Sequence, residues 1–170
     1  MKIKEVLRED HSKVHAQLIA DEAIGNEKAL EDLMECFFDD HYRLCQRAAW
    51  PVGIIGQQRP ELIFPYLPKM IRALDNPRHD AVIRNTVRTL QYMAIPEELQ
   101  GEVYDKCFQY LSGVKYPPAI KVFSATVLAN MAMEIPELKE ELIIILEEQM
   151  VFGTAGFVNR AGKLLKSLRK

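Results

Sequence analysis

Two histidines carry the most suggestive spacing in this chain. In Asp10-His11-Ser12-Lys13-Val14-His15 the imidazoles stand at i and i+4, which on a helix places both on one face within reach of a single metal ion. A closed or catalytic zinc site needs a third protein ligand, and no His-Glu-x-x-His pattern supplies one. Asp10 reads as an N-cap or first-turn acid. Asp40-His41 and His79-Asp80 fall at expected helix starts, where the carboxylate caps free backbone N–H groups and is not half of an acid–base pair. The cysteines Cys36, Cys45 and Cys107 are odd in number and lack Cys-x-x-Cys spacing, so they read as small hydrophobes in a reducing compartment. There is no Gly-x-Ser-x-Gly, Gly-x-Gly-x-x-Gly or phosphate-binding Gly-x-x-x-x-Gly-Lys pattern. The expectation is no catalytic residue, no metal and no cofactor.

The elements that would hold any site are helices. Sustained apolar/polar alternation and Asn-Gly or Asp-Gly hairpins are absent. Phe157, Ala161, Leu164, Leu165 and Leu168 instead form one helical stripe. Pro60-Glu61-Leu62, Pro96-Glu97-Glu98-Leu99 and Pro136-Glu137-Leu138 read as helix starts, with proline in the first position and glutamate complementing the helix dipole. The resulting map has one or two helices within 1–24, then helices near 27–38, 41–56, 61–75, 79–94, 97–112, 118–133, 136–150 and 154–168.

The chain also repeats itself. Cys45–Gly56 aligns with Ile83–Ala94 at an offset of 38 residues and with Lys121–Ala132 at 38 again, and Val158–Leu168 follows at 37. One column is small (Ala48, Thr86, Ser124, Ala161) and another aliphatic (Val52, Leu90, Leu128, Leu165). The first copy, Ala48-Ala49-Trp50-Pro51-Val52-Gly53-Ile54-Ile55-Gly56, holds a proline and two glycines, poor residues for a helix interior. There the glycines leave room for close helix approach, and Pro51 removes the hydrogen bond to the Arg47 carbonyl.

The segment from Leu62 to Pro77, followed by Val82-Ile83-Arg84-Asn85-Thr86-Val87, resembles a HEAT repeat, with armadillo repeats as the related alternative. In that family a first helix carries proline, a turn carries Asp and Pro, and a second helix opens with Val-Arg. The line from Cys45 to Gly56 resembles the second helix, with Gln46 where the family prefers Arg. The resemblance covers about residues 27 to 169. It implies an all-α fold, an α-α superhelix or short right-handed α-solenoid of about four helix pairs plus an N-terminal helix or helix pair. One domain would span 1–170, with cap helices in 1–24 and repeats at 27–56, 61–94, 97–133 and 136–169. Two amphipathic helices joined by a turn bury both apolar faces only when pairs stack, which supports this reading independently.

The resemblance also implies that second helices line a concave surface. The columns between core positions would then face outward: Arg47, Trp50 and Ile54; Asn85, Arg88 and Tyr92; Phe123, Thr126 and Asn130; Arg160, Lys163 and Ser167. From these the expected partner-binding strip is Arg47, Trp50, Arg88, Tyr92, Phe123, Arg160 and Lys163, since aromatics and arginine anchor interfaces. Between 41 and 95 eight Lys and Arg residues face only Glu61, Asp75 and Asp80, although the net charge of the chain is −2. A basic strip with acidic flanks suits another protein or an acidic peptide first and nucleic acid second. The competing structural reading makes arginines such as Arg84 part of an inter-repeat ladder with acids such as Asp75.

The leading expectation is therefore a non-enzymatic interaction scaffold. The alternative is a nucleic-acid-binding protein or a DNA glycosylase-type HEAT-like enzyme using the same face. Against the enzyme stands the lack of an acid among the outward columns, and the chain has no His-Glu dipeptide of the kind iron-dependent HEAT-like hydroxylases carry. The charged N-terminus lacks a secretory apolar core, and no apolar run reaches the roughly 20 residues of a membrane span. These readings point to the cytoplasm and away from membranes. The basic amphipathic terminal helix reads as an end cap, its cations complementing its own dipole. Self-association through the apolar ends of the array is a further expectation.

Overall fold

Prolines and capping side chains set where the helices begin. In the computed structural model, which describes residues 1–170, α1 (Ile3–Glu9) is followed by α2 (Lys13–Gly25), whose N-cap Ser12 accepts from the His15 N–H. Asn26 caps α3 (Glu27–Phe37) in the same way through Ala29 N–H. Then come α4 (Tyr42–Gln58) and α5 (Pro60–Ile63), which opens on its proline as expected. A 3-10 turn at Phe64–Tyr66 separates α5 from α6 (Leu67–Ala73), so the helix expected at 61–75 is interrupted. Pro65 and Pro68 cause the break, because neither has an N–H for the helical ladder. The remaining helices are α7 (Asp80–Leu90), α8 (Glu97–Ser112), α9 (Pro118–Glu134), α10 (Lys139–Met150) and α11 (Ala155–Leu168). Pro96 is the N-cap of α8 and not its first residue, and Pro136 opens a 3-10 turn leading into α10. There is no strand.

The chain divides into two compact units, Met1–Ala94 and Ile95–Lys170. In the first, α4 packs on α2, α3 and α7. In the second, α9 packs on α8, α10 and α11. The repeat columns read from sequence lie in these contacts. Ala48, Thr86, Ser124 and Ala161 are fully buried, and so are Val52, Leu90, Leu128 and Leu165 within a few per cent. Burial of every member explains the repeat: each second helix offers the same small and aliphatic positions to its neighbours.

Gly53 and Gly56 allow α7 to approach α4 closely. A Cβ on Gly53 would stand 2.2 Å from Asn85 Oδ1, and one on Gly56 would stand 2.2 Å from Thr89 Oγ1. This corrects two outward assignments. Asn85 and Ile54 are buried, 1% and 6% exposed: without a side chain on Gly53 the Asn85 side chain sits inside the α4–α7 contact, and Ile54 belongs to the hydrophobic core of the first unit. Asn85 donates from Nδ2 to the Ala81 carbonyl at 2.9 Å, leaving Oδ1 without a partner.

The hydroxyls of Thr86 and Thr89 are likewise buried with no hydrogen-bond partner. An unsatisfied buried hydroxyl destabilises, and valine has nearly the same shape as threonine. Thr86→Val is therefore expected to stabilise the first unit by up to about 1 kcal/mol, raising its unfolding midpoint. Urea unfolding followed by Trp50 fluorescence checks this, since Trp50 is the only tryptophan. A fall of that size would mean the hydroxyl does have a buried partner.

Candidate partner-binding site

The outward side of α4 in the first unit carries Arg43, Arg47 and Trp50 at helical spacing, α7 carries Arg84 and Arg88, and Tyr92 lies in the turn that follows α7. Trp50 and Arg47 are half-buried. Trp50 meets the His11 ring edge-on, with centroids 5.4 Å apart and planes at 72°. Arg47 extends Nη1 to the carbonyls of Leu7 and Arg8, each at 2.8 Å, and so closes the C-terminal end of α1. Its first function is thus structural. Arg88, half-buried, donates to Gln57 Oε1 of α4 at 2.6 Å, and Tyr92 is 44% exposed. Burial lowers the Arg88 pKa and Arg84 adds to this, while Tyr92 opposes it.

The strip residues of the second unit behave similarly. Arg160 reaches back from α11 to the Thr126 hydroxyl of α9 at 3.0 Å, Phe123 is half-buried, and Lys163 is exposed. The seven strip residues therefore fall into two sets, Arg47, Trp50, Arg88 and Tyr92 in one unit and Phe123, Arg160 and Lys163 in the other. Three of the four cations are already hydrogen-bonded within their own unit.

His11, Gln57 and Arg84 join the site without having been singled out from the sequence as its members. Their signal lies in tertiary packing: α1 and the α1–α2 turn fold onto α4, which no local spacing reveals. His11 and His15 engage different partners, His11 meeting Trp50 and His15 meeting Asp10. His15 Nδ1 is bonded to Asp10 Oδ2, whose carboxyl is held below its usual range by the Ser12 hydroxyl, the His11 N–H and His15. Asp10 thus ends α1 and braces the next turn, while Ser12 is the cap of α2. The other carboxylate caps also fall elsewhere: Asp39 accepts from His41 N–H at 2.8 Å, and His79 caps α7 through its own Nδ1, at 3.0 Å from Ala81 N. One acid–base pair links positions a repeat apart, Arg78 with Asp40, as an inter-repeat ladder would.

His11 reports on this face. Partial desolvation lowers its pKa from the ordinary 6.5, and Arg47 lowers it further; Asp10 opposes, and Arg84 and His79 add smaller repulsions. The unfolded chain therefore takes up this proton first as pH falls. The contribution of His11 to the fold is fully present above 6.5 and lost as pH drops through the lower folded value. The His11 ring is expected to titrate below 6.5 by NMR, and Arg84→Gln to move the midpoint upward. A midpoint unmoved by Arg84→Gln would separate His11 from the arginine row.

The three cysteines are free and buried, and burial pushes the thiols of Cys36 and Cys107 up to about 11 and about 12. Such thiols are poor nucleophiles at neutral pH. No helix is long and apolar enough to cross a membrane.

Helix pairs whose second helices bury equivalent small and aliphatic columns define a helical-repeat protein of the α-solenoid class. A family model described as a HEAT repeat domain matches residues 3–155, and the chain belongs to the HEAT-repeat family. The match begins at α1, so the N-terminal helices lie inside the family pattern and not only ahead of it. A comparison with curated proteins gave no match.

Proposed function

We propose that the protein is a non-enzymatic interaction scaffold that binds a protein partner, or an acidic peptide from one, on the outward row of its second helices. Trp50, Arg88 and Tyr92 of the first unit are the main anchors; Phe123, Arg160 and Lys163 form a separate row on the second unit. The observation that carries this reading is that two partly exposed aromatic rings each lie close in sequence to an arginine with no carboxylate partner, Trp50 after Arg47 on α4 and Tyr92 after Arg88 at the end of α7. HEAT repeats commonly mediate protein interactions, and the family match supports this general role. Tryptophan, tyrosine and arginine dominate interface energetics, and the cationic row selects acidic ligands through its local field.

Arg47 contributes charge to this face but is held by α1, so it acts more as a fixed wall than as an adaptable contact. The test is affinity capture from the native cell with wild-type protein and with Trp50→Ala, each partner identified by mass spectrometry and confirmed with purified components. Loss of a specific protein in the variant supports the proposal. Capture of nucleic acid alone, with affinity falling steeply as salt rises, overturns it.

A further inference from the structure

We infer that a cavity beside the amino-terminal end of α4 is a binding site for a phosphate monoester. It has a volume of about 320 Å³, near the lower end of the range for small-ligand sites. Its charged lining is Lys4 and Arg8 from α1, Asp39 and His41 from the turn before α4, and Arg43 and Arg47 from α4. Leu7 and Leu44 supply apolar wall.

The balance of charge inside it is lopsided. Asp39 is the only acid, and both its oxygens are engaged: Oδ2 lies 3.4 Å from Lys4 Nζ, and Oδ1 accepts the His41 N–H. None of the three arginines has a carboxylate partner. Arg43 donates from Nε to the Tyr42 hydroxyl at 2.9 Å, and Arg47 spends Nη1 on the end of α1. Those bonds fix the Arg47 guanidinium while its other nitrogens remain available. Arg8 has neither a hydrogen bond nor an ion pair through its side chain.

Three like charges around one hollow repel one another, and a bound anion relieves this. Guanidinium forks match phosphate oxygens two at a time, and a dianion neutralises more of the cluster than a single carboxylate does. The leucines can contact the carbon body of an ester, which free inorganic phosphate lacks. A nucleic-acid backbone or a lipid surface would call for an extended basic face in place of a hollow of this size. The ester can belong to a phosphorylated side chain of a polypeptide or to a free small molecule such as a sugar phosphate.

The experiment is titration of the full chain at low ionic strength, read by calorimetry and by amide shifts of α1 and α4. The probes are glucose 6-phosphate, a phosphoserine peptide and its unphosphorylated form, inorganic phosphate and succinate. Saturable binding of a phosphate ester, tighter than that of succinate, is expected. Arg8→Gln and Arg43→Gln should each weaken it roughly tenfold or more, since each removes a charge-assisted contact. Arg72→Gln, which removes an exposed cation outside the cavity, should leave it unchanged. Whichever of peptide and sugar phosphate binds more tightly identifies the source of the ester. Absence of saturable binding, or equal weakening by Arg72→Gln, would overturn the inference. The variants avoid Arg47, Trp50 and Arg88, so failure here is distinguishable from failure of the partner site proposed above.

Discussion

Replacing Gly56 by alanine is expected to destabilise the first unit, although alanine is the better helix former by roughly 1 kcal/mol. The new Cβ would lie 2.2 Å from Thr89 Oγ1, 2.4 Å from Cγ2 and 2.7 Å from Cβ. Because Thr89 Cβ itself is within the clash, no rotation of the threonine relieves it, and α4 and α7 must move apart. Overpacking of this kind costs about 1–3 kcal/mol, enough to outweigh the propensity gain in a contact that includes fully buried Ala49, Val52 and Val87 on the two helices. Gly53→Ala meets Asn85 Oδ1 at 2.2 Å but only Cβ at 3.1 Å, so a shift of the amide end absorbs part of the strain and a smaller loss is expected. Gly101→Ala in α8 meets nothing within 4 Å and should be neutral or stabilising. Urea unfolding read by Trp50 fluorescence reports on α4, and far-UV circular dichroism covers both units. A Gly56→Ala protein as stable as wild type would remove the close-approach account of this helix pair.

The same two glycines show how far the fold was legible in the sequence. The offset between copies picked out the columns of Ala48 and Val52, and both columns proved buried in every copy. Repetition carries that information because each second helix faces the same neighbours. What repetition could not show was where one copy departs from the pattern. Glycines at 53 and 56 let α7 come close, so Asn85 became interior, and Ile54 joined the hydrophobic core of the first unit, although both columns were expected to face solvent. Two prolines, visible in the sequence, broke the helix expected at 61–75, and their effect was readable in principle from the N–H groups they lack.

The site was less legible, for a physical reason. Whether an arginine is available depends on carbonyls and amides far away in sequence. Arg47 closes α1 some 39 or 40 residues upstream, and Arg88 and Arg160 bond to side chains 31 and 34 residues away. A column of cations therefore looked more uniform than it is. The most open members of the strip are Tyr92 and Lys163, and the most distinctive ring is Trp50, packed against His11.

That difference ranks the binding variants. Trp50→Ala should weaken partner binding by at least thirtyfold, because truncating an interface anchor costs about 2 kcal/mol or more. The ring touches His11 on one side and is half-exposed, so its removal leaves the buried face of α4 in place. Circular dichroism should therefore be unchanged while binding falls. Arg88→Glu should act as strongly by another route. It removes the bond to Gln57 and sets an acid beside Arg84, so an acidic partner meets one cation fewer and one repulsive charge more. The loss should be largest at low salt and shrink as ionic strength rises, whereas the Trp50→Ala loss should depend little on salt. Tyr92→Ala should lie between wild type and Trp50→Ala. Equal affinity of wild type and Trp50→Ala for a purified partner would move the site off α4 altogether. Loss on Lys163→Glu alone would place it on the second unit, where Phe123 and Arg160 are the residues to vary next.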